Sequence, residues 1–123
     1  MWINIRFYRY PAGVSAQTVL ECATPLAGST LSEQGAAELE TLFKVIADRS
    51  RLRILNILLR AEGEPVCVCE FQESLGIAQP TVSYHLKQLA RAGVVERERR
   101  GSFVYYRVVP RALERLGDLV AAR

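Results

Sequence analysis

Apolar residues recur at helical spacing through the first half of the chain. The first stripe consists of Leu39, Leu42, Phe43 and Ile46. Ser32 precedes it and is suited to cap a first helix, with acidic residues following where the helix dipole favours them. The next stretch, residues 49–60, is apolar nearly all round and begins after Asp48, a second capping residue. This pattern predicts a buried central helix.

A helix-turn-helix follows a break at residues 62–65. Residues 67–75 predict a short third helix, and residues 76–78 predict a tight turn. Residues 79–92 predict a fourth helix, with Pro80 in its first turn and Gly93 at its end.

From residue 94 onward, the pattern of side chains repeats every two residues and no longer at helical spacing. Residues 94–99 alternate, residues 100–102 are turn-forming, and residues 103–109 are rich in aromatic and β-branched side chains. These segments predict a β-hairpin, and residues 111–122 predict a closing amphipathic helix. We therefore expect a mainly α fold with a small hairpin, in the order α-α-α-α-β-β-α. Residues 1–30 are interpreted as an N-terminal arm, and residues 31–123 as one domain.

The chain has 123 residues, which fits a single core. No apolar run approaches the roughly 18–20 residues of a membrane span, and the N-terminus lacks a secretory signal pattern. We expect a cytoplasmic protein that does not enter the membrane. Its three cysteines, an odd number, argue against a disulfide scaffold and favour thiol or metal chemistry.

Positive charge is concentrated in one segment. Residues 79–107 carry a net charge of +4, whereas the whole chain carries +3, so the remaining residues together carry −1. Polar side chains on the fourth helix and arginines on the hairpin predict contacts with double-stranded DNA. The candidates are Gln79, Thr81, Ser83, Tyr84, His85, Lys87, Gln88, Arg97, Arg99, Arg100 and Arg107. The alternative is an ordinary solvated surface.

Cys67 and Cys69 are separated by one residue. In an extended segment their side chains would point the same way, whereas in a regular helix they would lie about 200° apart. Binding of one ion by both thiolates therefore requires an irregular start to the third helix. The alternative is that a free cysteine is only a small buried apolar residue.

Two segments resemble the ArsR–SmtB family of winged-helix metal-sensing repressors. They are GIAQPTVSYHLKQLARAGVVERERRGSFVYYRV and, upstream of it, LFKVIADRSRLRILNILL. The resemblance covers about residues 38–109 and implies a homodimer joined through the first and last helices. Ala78 departs from the pattern, because many relatives have a capping serine there.

The segment VCVCEF is similar to the thiolate box of the family's arsenic, cadmium and lead sensors. Where arsenic sensors often have a further cysteine this chain has Gln72, so the resemblance implies a third thiolate from Cys22, in the arm segment LECATPLAG. Three sulfurs suit As(III) or Sb(III). Cd(II) commonly takes a fourth sulfur, whereas Pb(II) accepts three. The family's zinc site is not expected, because the final helix has no histidine and its Glu114 and Asp118 are interpreted as solvated.

The sequence therefore predicts a DNA-binding repressor of a resistance operon, similar to arsenic-responsive members with an arm cysteine. It would leave its operator when Cys22, Cys67 and Cys69 bind trivalent arsenic or antimony. Two alternatives keep the fold: a repressor that responds to Cd(II) or Pb(II), and a repressor whose thiols sense oxidants. An enzyme is not expected, since no histidine base, phosphate loop or carboxylate pair accompanies the cysteines.

Overall fold

The computed structural model describes residue 20 and residues 22–122. The helices are α1 Glu33–Ile46, α2 Arg49–Arg60, α3 Val68–Leu75, α4 Gln79–Arg91 and α5 Ala112–Val120; the strands are β1 Val66–Cys67, β2 Val95–Arg100 and β3 Phe103–Val108. The predicted mainly α fold with a β-hairpin between the fourth and fifth helices is confirmed. Most of the predicted arm, residues 1–19 and 21, lies outside the described residues.

The predicted starts of the first two helices are confirmed by side-chain caps. The Ser32 hydroxyl accepts a hydrogen bond from the Gly35 N–H at 2.9 Å. A carboxylate oxygen of Asp48 accepts one from the Arg51 N–H at 3.1 Å. Each cap satisfies a backbone donor that the helix itself leaves unpaired.

The sheet has one strand more than the sequence predicted. β2 and β3 form the antiparallel hairpin, and β1 pairs antiparallel with the other edge of β3, where Cys67 lies opposite Tyr105. β1 is two residues long, too short to produce an alternating pattern. Its pairing fixes the backbone of Cys67 in an extended conformation immediately before α3.

The core lies where α2, α3 and α4 meet the sheet. Fully buried side chains come from every helix; the largest include Leu42, Ile54, Leu58, Phe71, Leu86, Leu89 and Leu119. Leu20 and Ala23 also belong to this core, so part of the segment before residue 31 packs onto the helices. Within the described residues, no helix is both long and apolar enough to cross a membrane.

Candidate DNA-binding surface and thiol pair

The helix α4 begins without a side-chain cap. Ala78 occupies the N-cap position in an extended conformation, no side-chain hydrogen bond closes the first turn, and Pro80 lies in that turn. Because Ala78 stands where many relatives have a capping serine, the first turn of α4 has no side-chain cap. Amide N–H groups at a helix start that lack a side-chain acceptor are suited to bind an anion such as a backbone phosphate.

One narrow face of α4 reaches solvent. Gln79 and Lys87 are exposed, and Ser83 and Thr81 are half-buried. Gln79, Ser83 and Lys87 are spaced four residues apart, so they form one line along the helix. These four residues are the predicted contacts on α4 that the structure leaves accessible to DNA.

Three predicted contacts on α4 are buried, and their predicted placement on the DNA-facing side was wrong. Tyr84 is 9% exposed, His85 6% and Gln88 0%. The reason is that α4 packs against α1, α2, α3 and β2 together, so the buried arc is wider than the stripe of Val82, Leu86 and Leu89. Polar side chains at the edges of that stripe are thereby enclosed.

The enclosed polar groups differ in their partners. His85 Nδ1 accepts a hydrogen bond from Arg51 Nε at 3.1 Å. Among the described residues, the side-chain amide atoms of Gln88 have no hydrogen-bond partner. Sequence reasoning missed Arg51, because a contact that spans 34 residues leaves no trace in helical periodicity.

The hairpin arginines are exposed, but two of them form ion pairs. Arg100 pairs with Glu98, and Arg107 pairs with Glu96, its cross-strand neighbour. The hydrogen bond from Arg100 holds the pKa of Glu98 below its ordinary value. Arg97 and Arg99 share the other face of β2, as alternation requires. Arg100 and Arg107 can therefore reach a phosphate only by leaving or sharing their carboxylates.

Arg97 also contacts the interior of the sheet. It lies directly opposite Tyr106, which is buried on β3. Burial raises the pKa of the Tyr106 phenol, and the charge of Arg97 acts in the opposite direction. Arg97 on β2 thus lies beside β3, the hairpin strand that also pairs with β1.

Cys67 and Cys69 are brought together at the start of α3. Cys67 is the N-cap residue in an extended conformation, with ψ of 142°, and Cys69 lies in the first turn. The structure pairs them as a disulfide, with Cα atoms 5.2 Å apart. This Cα separation suits a disulfide, and it also allows two thiolates to bind one ion. Cys67 thus lies before the helix that was predicted to include it, and the prediction that binding of one ion by both thiolates needs an irregular first turn stays a prediction.

Cys67 also caps the helix. Its Sγ accepts a hydrogen bond from the Cys69 N–H at 3.3 Å, and a Glu70 carboxylate oxygen accepts one from the Cys67 N–H at 2.9 Å. This is a reciprocal capping box with cysteine at the position of the usual serine or threonine. Sequence reasoning missed Glu70, although a glutamate three positions after the N-cap residue is the usual sequence signal of a capping box. The thiol that would bind an ion is therefore also part of the helix cap.

Cys22 lies elsewhere in the chain. It is exposed and free, and its segment is fastened to α5. Arg115 donates hydrogen bonds to the Leu20 and Ala23 carbonyls, at 3.2 and 2.8 Å. Among the residues that the structure describes, no group of three or more His, Cys, Asp or Glu side chains is placed to hold a metal. One chain therefore does not assemble the predicted set of three cysteines.

A cleft lies between the cysteine pair and the predicted DNA-facing elements. It has a volume of about 370 Å³ and lies between α3, α4 and the hairpin. Its lining includes Cys67, Cys69, Gln72, Gln79, Ser83, Lys87, Arg97, Phe103 and Tyr106. The exposed line of α4, one hairpin arginine and both sulfurs therefore border the same space.

A helix-turn-helix followed by a basic β-hairpin defines a winged-helix DNA-binding protein. Residues 48–97 match the arsR family of bacterial regulatory proteins. The chain belongs to this family.

Relatives and solved structures agree with this assignment. The chain is 45% identical over 69 residues to the arsenic resistance transcriptional regulator ArsR1 of Pseudomonas putida. The aligned residues make up 56% of this chain and 52% of that protein. It thus spans about half the length of that relative. The crystal structure of the antimony-specific repressor AntR matches with a TM-score of 0.61 and 32% identity, over 74% of this chain and 81% of that one.

A third comparison concerns assembly. The solution structure of a homodimeric winged helix-turn-helix domain from Mycobacterium bovis, described as a possible ArsR-family regulator, matches with a TM-score of 0.57 and 31% identity. The match covers 74% of this chain and 82% of that one.

Proposed function

We propose that the protein is a homodimeric repressor of a resistance operon that leaves its operator when cysteine thiolates bind trivalent arsenic or antimony. The observation that carries this proposal is the shared cleft, because Cys67 and Cys69 line the same space as Gln79, Ser83 and Arg97. An ion bound by the two sulfurs would act directly beside the DNA-reading surface.

DNA binding would use the accessible line of α4 and the hairpin. Gln79, Thr81 and Ser83 lie at the N-terminal end of α4, the end that enters a major groove in helix-turn-helix proteins. Lys87 and the exposed hairpin arginines would contact phosphates, which gives affinity that falls with salt. The ion-paired Arg100 and Arg107 are the weaker candidates among them.

Dimerisation would use α1 and α5, and the segment before α1 would extend that surface. Leu26 and Val120 are large exposed apolar residues, and the Leu26 N–H donates to the Leu119 carbonyl at 2.9 Å. They therefore lie close together beside α5. Two-fold symmetry would place two α4 helices in successive major grooves.

The third thiolate would be Cys22 of the partner subunit. The fastening of the Cys22 segment to α5 supports this arrangement, because α5 is the helix proposed to meet the other chain. Three thiolates match the pyramidal coordination and soft-ligand preference of As(III) and Sb(III). Cd(II) or Pb(II) would be the alternative ions at the same sulfurs.

Release would follow from the cap that Cys67 provides. An ion that binds Cys67 Sγ competes with the hydrogen bond from the Cys69 N–H, so the first turn of α3 must adjust. Because α3 packs directly against α4, the adjustment would change the presentation of Gln79 and Ser83. By linkage, the ion must bind the DNA-free form more tightly than the DNA-bound form.

The test is fluorescence anisotropy of reduced protein on DNA taken from upstream of its own coding sequence. The complex is titrated with arsenite, antimonite, cadmium and zinc in parallel. Release by arsenite or antimonite with zinc inert is the expected result. Release by cadmium alone would indicate that cadmium, and not arsenic or antimony, is the inducing ion. Persistence of the complex with every ion would contradict ion sensing.

One observation favours thiol oxidation as a second candidate signal. The Cα atoms of Cys67 and Cys69 lie at a disulfide separation, 5.2 Å, and Cys69 is exposed to oxidants. The matching test is peroxide in place of arsenite, followed by dithiothreitol. Release by peroxide that dithiothreitol reverses would favour this candidate.

A further inference from the structure

A buried polar junction connects α4 with α2 and with the end of α1. The Arg51 guanidinium donates from Nε to His85 Nδ1 and from Nη1 to the Val45 carbonyl, each at 3.1 Å. Arg51 is 7% exposed and His85 6%. Among the described residues, they are the buried side chains that carry or can accept a positive charge.

Two more side chains complete the junction. Asp48 caps α2 through the Arg51 N–H, and its carboxylate oxygen lies 4.0 Å from His85 Nδ1. The Arg51 guanidinium lies 5.6 Å from the centre of the Tyr84 ring, on α4 itself. One arginine thus contacts the last turn of α1 and the middle of α4 from its place on α2.

The chemistry of the junction defines the state of His85. A guanidinium can only donate, so Nδ1 must carry a lone pair and the imidazole must be neutral, with its proton on Nε2. Burial is the largest cause that lowers the pKa of His85 below its ordinary value; Asp48 acts against it and Arg51 with it. Protonation would remove the acceptor and bring a second positive charge against Arg51.

We propose that His85 is a positioning residue of the reading helix: by accepting from Arg51 it fixes α4 against α2, and its protonation loosens α4 and weakens DNA binding. The inference rests on the proposed role of α4 in reading DNA. It adds a function for a buried residue that lies outside both the thiol pair and the exposed line of α4.

The direction of the pH dependence follows from the lowered pKa. The unfolded chain, with a histidine of ordinary pKa near 6.5, takes up the proton more readily than the folded one. The contribution of His85 is therefore fully present above that pH and is lost as the pH falls towards the lowered value. Asp48 and Arg51 are the charged groups that act on it from the adjoining elements.

His85 is the only histidine of the whole chain, which simplifies the test. DNA from upstream of the coding sequence is titrated with protein at about pH 7.5 and about pH 5.5, on either side of the histidine range. For the wild type we expect a higher Kd at the lower pH, by less than about tenfold, because an ordinary histidine pKa would give about tenfold and the pKa of His85 is lowered.

Two variants separate positioning from packing. His85→Asn offers a carbonyl oxygen where Nδ1 lies and cannot be protonated, so we expect near wild-type affinity at about pH 7.5 and no acid weakening. His85→Leu has no acceptor for Arg51. We expect its DNA binding to be about tenfold weaker at both pH values.

Nitrogen NMR of the wild-type imidazole gives a readout that needs no variant to fold. The expected result is the neutral tautomer with its proton on Nε2 at about pH 7.5. A proton on Nδ1, an equal acid loss in His85→Asn, or unchanged affinity in His85→Leu would overturn the proposal. A wild type that binds this DNA equally at both pH values overturns positioning alone, whereas one that binds at neither also overturns the proposed function.

Discussion

The first turns of α3 and α4 are built in opposite ways. α3 starts with a closed box in which Cys67 and Glu70 satisfy each other's backbone donors. α4 starts at Ala78 with no side-chain cap. The helix with the proposed sensing thiols is thus capped by a side chain whose hydrogen bond a bound ion would displace. The proposed reading helix has a first turn without a side-chain cap, which suits a phosphate.

From this contrast we expect the proposed sensing and reading roles to be separable, although both helix starts border one cleft. A change at the start of α3 should alter the response to arsenite and leave DNA affinity nearly intact. A change at the start of α4 should do the reverse. The four substitutions below test each half of the contrast, and a variant that alters both properties equally would break it.

The largest effect is expected for Cys67→Ser. Serine is among the best N-cap residues, so the cap of α3 and the affinity for DNA should persist. The thiolate is lost, and we expect arsenite no longer to release the DNA at concentrations that release the wild type. Anisotropy measures both properties on one sample, with Cys22→Ser as the comparison that removes only the proposed third ligand. Undiminished release from Cys67→Ser would remove this thiol from the mechanism.

Gln79→Ala should produce the converse result. Loss of a side-chain contact to a base edge costs about 1–3 kcal/mol, so DNA affinity should fall roughly tenfold. Gln79 lies outside the thiol pair, so the number of arsenite ions bound per chain should not change. Anisotropy and arsenite-binding stoichiometry check the two halves, and altered stoichiometry would mean that the two helix starts are not separate.

Glu70→Ala tests the reciprocal half of the box. The Cys67 N–H loses its acceptor, and we expect the free energy of unfolding to fall by about 1 kcal/mol in urea denaturation of the reduced protein. Glu70→Gln is the matched control, because its amide oxygen can still accept. If both variants lose equal stability, the charge of Glu70 and not its hydrogen bond is what stabilises α3.

The smallest effect is expected for Ala78→Ser, which gives α4 the cap that α3 already has. The hydroxyl can accept from an N–H of the first turn, so stability should rise by about 0.5–1 kcal/mol. Thermal unfolding of the DNA-free protein measures it, with arsenite release as the control that should not move. Unchanged stability would indicate that this N–H already has another acceptor.

The sequence predicted most elements because their signals are local. Ser32 and Asp48 cap where expected, and alternation located the hairpin. For Cys67 and Cys69, the sequence predicted only that binding of one ion by both thiolates would require an irregular start of the third helix. Strand β1, which holds Cys67 extended before α3, depends on pairing with β3 across the chain and leaves no periodic signal in two residues.

The DNA-facing side of α4 was predicted only in part. Gln79 and Lys87 are exposed as expected, but His85 and Gln88 are enclosed. Polarity alone cannot separate these cases, because a histidine can be buried at little cost when a distant residue such as Arg51 satisfies it. For Gln88, the part of the chain that the structure describes offers no hydrogen-bond partner that explains its burial.

The central claim is that ion binding and DNA binding oppose each other through α3 and α4. Its most direct test is calorimetric titration of the reduced protein with arsenite, with and without saturating DNA from upstream of its coding sequence. Reciprocal coupling predicts a Kd for arsenite about 5- to 150-fold higher when DNA is bound. Equal affinities in the two titrations would contradict the account.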